Sequence, residues 1–228
     1  MIFQQLFEPT TSTYTYLLAD PDSLEAIIID SVIETSERDF NLIKELGLKL
    51  LYVLDTHVHA DHITAAGKLS EKTGAKIAIS SAGHVEGADC LLDDGDVLRF
   101  GEFKVEALAT PGHTDSCMSF YVEDRVFTGD ALLIRTNGRT DFQQGSAEKL
   151  YTSIHQKLLT LPDETLVYPA HDYKGFTSST IGDEKRFNTR IGGGRTLNEF
   201  IDIMQNLKLS PPKKMSVAVP ANLKCGKI

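Results

Sequence analysis

The sequence is poor in cysteine, in basic runs and in long hydrophobic stretches, and each shortage argues against a class of protein. Three cysteines among 228 residues (Cys90, Cys117 and Cys225) cannot pair completely, so we expect reduced thiols and no disulfide framework. The formal charge is −9 and no cluster of Lys and Arg occurs, which argues against a nucleic-acid or anionic membrane surface. No apolar stretch approaches the ~20 residues that span a bilayer.

Residues 1–6 also lack the charged-then-apolar layout of a signal peptide and the Arg-rich bias of a transit peptide. Together with the expected free thiols, this predicts a cytoplasmic location. A hydrophobic content of 41% is enough to bury a full core, and we expect one domain over residues 1–228. Three prolines (Pro211, Pro212 and Pro220) predict that residues 210–228 form a C-terminal wrap around that domain.

Apolar runs and their spacing predict alternating strands and helices. The predicted strands are 13–18, 26–30, 50–54, 77–79, 103–109, 119–123, 125–127 and 165–168. The predicted helices are 35–46, about 63–72, 147–159 and 197–207. Two strand-rich halves, each followed by helices, favour a layered α/β sandwich with sheets inside and helices outside.

A histidine-rich segment follows the predicted strand 50–54 and reads Thr56-His57-Val58-His59-Ala60-Asp61-His62. Three imidazoles and a carboxylate within six positions stabilise neither a surface loop nor a core. Neutral imidazole nitrogens and carboxylates are lone-pair donors, so a metal ion gives the cluster a physical reason to exist. Because α/β sheets place their chemistry at the carboxyl ends of strands, we expect a metal site at this edge.

Three further donors follow other predicted strands. His113 is presented by the tight turn of Thr110-Pro111-Gly112-His113-Thr114, Asp130 ends Phe127-Thr128-Gly129-Asp130, and His171 lies in Tyr168-Pro169-Ala170-His171-Asp172-Tyr173. A single histidine near a strand end is more often a hydrogen-bonded structural residue, but four strand ends that each deliver donors predict one site. The seven donors are suited to two ions about 3.5–4 Å apart with Asp130 bridging, and the donors alone do not choose between one metal and two.

The order HxHxDH, TPGHT, GD and a later histidine resembles the metallo-β-lactamase superfamily. Within it the chain is similar to the persulfide dioxygenases, on the segments FTGDALLIR (127–135), GRTDFQQG (138–145), YPAHDYKGFT (168–177) and AVPANLKCG (218–226). The resemblance covers essentially the whole chain and implies a four-layer αββα sandwich. One departure is Thr136-Asn137, where related proteins often have Gly-Cys; we do not expect it to affect the metal.

The resemblance implies one Fe(II) per chain, bound by the positions that match His57, His113 and Asp130. Two imidazoles and one carboxylate on one face leave room for a substrate and dioxygen. The remaining donors, which would orient the ligands and hold bound waters, are His59, Asp61, His62 and His171. The implied reaction is oxidation of glutathione persulfide by dioxygen to sulfite and glutathione, and a homodimer and a persulfide-supplying sulfurtransferase are further expectations.

Glutathione carries two carboxylates, so an acidic protein needs a local cationic rim to bind it. Arg139, in the GRTDFQQG segment, is the first choice because a guanidinium pairs bidentately with a carboxylate. Tyr173 occupies a position that resembles a glutathione-binding tyrosine of glyoxalase II. Arg190 and Arg195 are weaker candidates.

The main alternative is a glyoxalase II-like hydrolase that acts on S-D-lactoylglutathione with two metals. Glyoxalase II chains typically extend into a helical C-terminal region with basic residues, whereas the region after His171 is short here. A second alternative is a non-catalytic binding module on the same fold. The presence of donors at every expected loop argues against it.

Overall fold

The computed structural model describes residues 1–210 and 214–227, and its first half forms a six-stranded mixed sheet. The strands are β1 (Ile2–Glu8), β2 (Thr13–Ala19), β3 (Glu25–Ile29), β4 (Lys49–Leu54), β5 (Lys76–Ser80) and β6 (Cys90–Leu92), and they lie in sequence order. β1, β2 and β3 pair antiparallel, and β3 to β6 pair parallel. The parallel half therefore brings the carboxyl ends of β3 and β4 to one edge.

A second six-stranded sheet follows. Its strands are β7 (Val97–Phe100), β8 (Phe103–Ala109), β9 (Met118–Val122), β10 (Arg125–Gly129), β11 (Leu166–Pro169) and β12 (Ser179–Thr180), again in sequence order. Neighbours pair antiparallel except β10 and β11, which are parallel. The parallel pair presents the loops after β10 and β11 on the same side.

Side-chain alternation explains how the two sheets pack. In β3, Ile27 and Ile29 belong to the core between the sheets, together with Phe120 and Phe127 of the second sheet, while Ile28 points to the opposite face. That period of two is what a strand buried on both faces requires. The sequence prediction of sheets on the inside is confirmed.

Helices cover the two outer faces. They are α1 (Ser36–Glu45), α2 (Ala66–Thr73), α3 (Ala147–Ser153), α4 (Ile181–Phe187), α5 (Leu197–Gln205) and α6 (Met215–Asn222). Residues of α1, α2 and α6 pack on the outside of the first sheet, and residues of α3 and α5 on the outside of the second. The result is the expected αββα sandwich. Among the described residues, no helix combines the length and apolar character that a membrane crossing requires.

Two sequence expectations about helices need correction. The helix predicted to begin near Ile63 begins at Ala66, because Thr64 instead bridges Val32 and its hydroxyl donates to Asp55. The helix predicted for 147–159 is α-helical only to Ser153 and continues as a π-helix over Ile154–Leu158. The C-terminal segment, predicted as a wrap over residues 210–228, contains α6, and 211–213 and 228 lie outside the described residues.

Candidate metal centre

Four loops bring the seven predicted donors to one edge of the sandwich. The histidine-rich segment leaves β4, His113 follows β8, Asp130 follows β10 and His171 follows β11. Each strand has an apolar, buried interior, so its register fixes where the following loop begins. The expectation that these strand ends meet is confirmed.

The donors form two adjacent groups. One ligand atom each of His57, His113 and Asp130 lie within 4.8 Å of one another. The same limit holds for a second group, whose members are His59, Asp61, His62 and His171. One group contains the three residues expected as ligands and the other the four expected around them, and the second group also has donors enough for a second ion.

Hydrogen bonds fix the orientation of the His57 ring. The Thr56 hydroxyl donates to Oδ2 of Asp30 at 3.0 Å, and the oxygen of this hydroxyl lies 3.0 Å from Nδ1 of His57. Because the hydroxyl has only one hydrogen and the carboxylate can only accept, Nδ1–H of His57 must donate to Thr56. The Nε2 atom of His57 therefore keeps its lone pair, which is the form a metal needs.

His113 is oriented by a backbone carbonyl. Its Nδ1 lies 2.7 Å from the carbonyl oxygen of Arg139, which can only accept a hydrogen bond. Nε2 of His113 consequently carries the lone pair, and it lies 3.5 Å from Oδ2 of Asp130. Two imidazole lone pairs and one carboxylate thus converge in the first group.

His59 is oriented by Asp30. Its Nε2 lies 3.1 Å from Oδ1 of Asp30, and both side chains are almost wholly buried. Burial alone would lower the pKa of His59, but the Asp30 carboxylate outweighs it and raises the pKa to about 9. A charged ring that donates to a carboxylate is a poor metal ligand, and the role of His59 in supporting the ligands stays a prediction.

The remaining members of the second group surround Asp61. Nδ1 of His62 donates to Oδ2 of Asp61 at 3.1 Å, and Nε2 of His171 lies 3.6 Å from the same oxygen. Burial raises the pKa of Asp61, but the rings of His171 and His62 outweigh it and hold the pKa well below its ordinary value. Asp61 is therefore ionised at neutral pH.

The donor set fits a metal ion on two further observations. Within the two donor groups, three buried polar atoms have no hydrogen-bond partner among the described residues: Nδ1 of His59, Nε2 of His62 and Oδ1 of Asp130. Burial, with the neighbouring rings of His59 and His113, lowers the pKa of His57 well below its ordinary value, so this ring is neutral at pH 7. The lone pairs of His62 Nε2 and Asp130 Oδ1 are costly to bury unless a cation, or a molecule bound to a cation, satisfies them.

Two glycines permit the close packing behind the ligands. Gly129 has φ +53°, and a Cβ there would lie 2.6 Å from the Thr56 hydroxyl that holds His57. At Gly138 a Cβ would lie 2.3 Å from the carbonyl oxygen of Asp130 and 2.9 Å from Nδ1 of His113. Any side chain at either position would displace a ligand or its support.

A cavity of about 360 Å³ opens on the first group. Its wall contains Thr136 and Asn137, the two residues at which the sequence departs from the family pattern, so this departure lies at the cavity and outside both donor groups. Arg139, Arg190 and Tyr173 also line the cavity, whereas Arg195 does not. Two arginines thus line the cavity of an otherwise acidic protein.

The two arginines of the cavity differ in their partners. The Arg139 guanidinium pairs with both carboxylate oxygens of Asp141, at 2.6 and 2.8 Å, and also donates to the carbonyl oxygen of Ser210. Arg190 donates to the carbonyl oxygen of Asn137 and has no carboxylate within ion-pair distance in the described part of the chain. Burial lowers the pKa of Arg190, so an anionic ligand would relieve an unpaired half-buried charge.

Tyr173 stands at the mouth of the cavity. Its ring stacks on that of His171, with a centroid distance of 6.0 Å and an interplanar angle of 10°. The side chain is 71% exposed, so its hydroxyl is accessible to a ligand that enters the cavity.

Two supporting residues were missed by the sequence analysis. Asp30 was predicted only as the end of a strand, yet it accepts hydrogen bonds from Thr56 and His59. Asn222, in α6, donates from Nδ2 to the carbonyl oxygens of His59 and His62 and accepts from the Thr64 backbone N–H. A lone Asp at a strand end and an Asn in a proline-containing tail carry no sequence signal for these contacts.

Comparisons with known proteins agree with this geometry. Residues 9–171 match the model of the Metallo-beta-lactamase superfamily. The chain is 52% identical to the mitochondrial persulfide dioxygenase ETHE1 of Homo sapiens, over 99% of this chain and 89% of that protein. It is 32% identical to Glyoxylase B2 of Dictyostelium discoideum, over 97% of this chain and 89% of that protein.

A solved structure extends the likeness to three dimensions. The crystal structure of ETHE1 from Myxococcus xanthus has a TM-score of 0.97 and 53% identity, with 100% of both chains covered. The chain therefore belongs to the metallo-beta-lactamase superfamily, and within it to the persulfide dioxygenase family.

Proposed function

We propose that this protein is an iron-dependent dioxygenase that oxidises glutathione persulfide to sulfite and glutathione. The overall change consumes one dioxygen and one water per persulfide: the outer sulfur gains three oxygens, the S–S bond breaks and glutathione leaves with a proton. The identity of about one half to persulfide dioxygenases, over nearly the full chain, supports the reaction class.

The observation that carries the proposal is the ligand triangle of His57, His113 and Asp130. Two imidazoles whose Nε2 lone pairs are free and one carboxylate converge within 4.8 Å. We propose that they bind a single Fe(II). Such an ion would supply the redox chemistry that activates dioxygen, and zinc lacks this chemistry. A set of two histidines and one carboxylate would leave coordination positions open for the reactants.

The protein's own residues would orient the reactants. A persulfide is more acidic than a thiol, so the substrate would bind as its anion. The second donor group, next to the triangle, offers hydrogen-bonding partners for water. Asp61 is ionised and His62 keeps a buried, unpaired Nε2, so these two would hold the water that completes sulfite.

The cavity wall would bind the glutathione portion. Arg190 is the better placed of the two lining arginines, because the Arg139 guanidinium is already paired with Asp141. We propose that Arg190 pairs with a glutathione carboxylate, that Arg139 contributes to the same cationic rim, and that the exposed Tyr173 hydroxyl donates to the peptide. A homodimer, a sulfurtransferase partner and a cytoplasmic location stay predictions, and the relative from Homo sapiens is named as mitochondrial.

The deciding experiment measures two reactions on the same preparation. Iron-loaded protein should consume dioxygen when glutathione persulfide is added, with one sulfite formed per dioxygen. Hydrolysis of S-D-lactoylglutathione should be absent or slow. Rapid thioester hydrolysis without persulfide-dependent oxygen uptake would favour the two-metal hydrolase, for which the second donor group supplies ligands.

A further inference from the structure

A line of hydrogen bonds runs from the metal centre into the first hairpin. Nδ1 of His171 lies 3.3 Å from Oγ1 of Thr13, which lies 2.7 Å from Oγ1 of Thr11, which lies 2.6 Å from Oε2 of Glu8. Glu8 ends β1, and both threonines belong to the turn and the start of β2. Thr13 is fully buried, and Glu8 is only 5% exposed. None of these three residues belongs to a sequence motif of the site.

The carboxylate at the far end fixes the direction of every bond in the line. Burial alone would raise the pKa of Glu8, but hydrogen bonds from Thr11 and Thr10 outweigh it and lower the pKa to about 2. An ionised carboxylate only accepts, so the Thr11 hydroxyl donates its single hydrogen to Glu8. The Thr11 oxygen must then accept the hydrogen bond between the two threonines, so the Thr13 hydroxyl donates its single hydrogen to Thr11. The Thr13 oxygen can therefore only accept from Nδ1–H of His171.

We propose that Glu8, Thr11 and Thr13 are positioning residues that fix the tautomer of His171 through this one-way line of hydrogen bonds. Nδ1 of His171 is held protonated, so in the neutral ring the lone pair is on Nε2. That atom faces the metal centre, 3.6 Å from Oδ2 of Asp61 and 3.8 Å from Oδ1 of Asp130. In its neutral form, His171 thereby presents a proton acceptor at Nε2 to whatever occupies the space between the two donor groups.

The arrangement repeats the support of His57 by a second route. The Asp30 carboxylate acts on His57 through one threonine hydroxyl, that of Thr56. The Glu8 carboxylate acts on His171 through two threonine hydroxyls. Residues behind a metal-site histidine that set its tautomer typically change metal affinity or activity by roughly 10–100-fold when removed. Glu8 would set the tautomer of His171 without contacting it, because the two threonines lie between them.

Main-chain hydrogen bonds hold the first hairpin against the His171 loop, so the effect of the threonine hydroxyls can be tested without disturbing this packing. Thr13 and His171 pair in an antiparallel bridge, the Tyr14 N–H donates to the carbonyl oxygen of Ala170 at 2.7 Å, and the Asp172 N–H donates to that of Ser12. These backbone bonds hold His171 in place without the Thr13 hydroxyl. Thr13→Val keeps the β-branched shape of a strand residue and removes only the hydroxyl, and Thr13→Ser keeps the hydroxyl and serves as the matched control.

The direct test is the nitrogen spectrum of the His171 ring in metal-free, full-length protein over a pH series. On the alkaline side, where the ring is neutral, the wild-type protein and Thr13→Ser should show Nδ1 with the shift of a protonated nitrogen and Nε2 with that of a lone-pair nitrogen. Thr13→Val and Thr11→Val should move the two shifts toward each other as the tautomers mix. A wild-type ring protonated on Nε2, or valine variants with wild-type shifts, would overturn the proposal.

The kinetic arm rests on the proposed function. In the iron-loaded enzyme, Thr11→Val and Thr13→Val should lower kcat for glutathione persulfide roughly tenfold with little change in KM and unchanged iron content, and Thr13→Ser should restore kcat. Valine variants with wild-type kcat would overturn the positioning role. Wild-type enzyme without persulfide oxidation would contradict the proposed function and leave the nitrogen shifts to decide the tautomer.

Discussion

Nε2 of His59 lies 3.1 Å from Oδ1 of Asp30, and the other oxygen of the same carboxylate accepts the hydroxyl of Thr56, which in turn accepts from His57. One buried carboxylate on the first sheet thus orients two histidines of the metal centre. Asp30 also accepts the Thr56 backbone N–H at 2.7 Å, so it ties the start of the histidine-rich segment to the end of β3.

Replacing Asp30 by Asn should therefore damage both stability and metal binding. An amide offers one acceptor oxygen where the carboxylate offers two, so at least one buried donor loses its partner. We expect the free energy of unfolding to fall by about 1–3 kcal/mol and the affinity for iron to fall roughly 10–100-fold. Denaturant unfolding of the metal-free protein and iron titration measure the two effects. The exposed Asp22→Asn is the control, and equal iron affinity in both variants would remove Asp30 from this role.

Asn222 anchors the other end of the histidine-rich segment. Asn222→Ala should leave the carbonyl oxygens of His59 and His62 and the Thr64 N–H without their partner, and we expect a loss of about 1–3 kcal/mol in the free energy of unfolding. Iron content after purification should fall with it. Asn41→Ala, on the exposed face of α1, should change neither quantity. If Asn222→Ala matches Asn41→Ala in stability and iron content, the anchor is not needed.

The donors were predictable because each follows a strand whose apolar pattern the sequence displays, and the carboxyl ends of neighbouring strands share an edge. The support behind them was not predictable. Asn222 and His62 are 160 residues apart in the chain, so their contact depends on how α6 packs on the first sheet. The helix itself was missed because Pro220 lies inside it, and proline in a short segment favours an irregular interpretation.

The choice of arginine shows a similar limit. The sequence favoured Arg139 because it lies in the most specific family segment, and the segment does line the cavity. Its neighbour Asp141 already neutralises the guanidinium, a pairing two residues apart that the motif alone did not reveal. We favour Arg190 because it is half-buried and has no carboxylate partner in the described part of the chain, and both are properties of the folded chain.

Arg190→Ala should raise the KM for glutathione persulfide with little change in kcat and none in iron content. The loss of a charge-assisted hydrogen bond of about 1.5–3 kcal/mol corresponds to a rise of roughly tenfold or more in KM. Arg139→Ala should raise KM by less, because its guanidinium is already paired, and Arg195→Ala should leave KM unchanged because Arg195 lies outside the cavity. An Arg190→Ala enzyme with wild-type KM would exclude it from substrate binding.

The hydrogen bonds to Glu8 predict an acid-dependent stability. The pKa of Glu8 is lowered from 4.5 to about 2 in the folded protein, so its ionised form stabilises the fold above about pH 4.5, and this stabilisation is lost as the pH falls toward 2. We expect Glu8→Gln to lower the free energy of unfolding of the metal-free protein by about 2 kcal/mol at pH 7 and by almost nothing near pH 2. The exposed Glu71→Gln serves as the control. A difference between wild type and Glu8→Gln that does not shrink on acidification would contradict the assignment.

The central claim is that one ferrous ion, bound by His57, His113 and Asp130, suffices for persulfide oxidation. Titration of metal-free protein with Fe(II) under anaerobic conditions, followed by oxygen uptake with glutathione persulfide at each point, tests it most directly. Activity should rise linearly and reach its plateau at one iron per chain, and His57→Ala should abolish the rise. A plateau at two metals per chain, or full activity with zinc alone, would contradict the account.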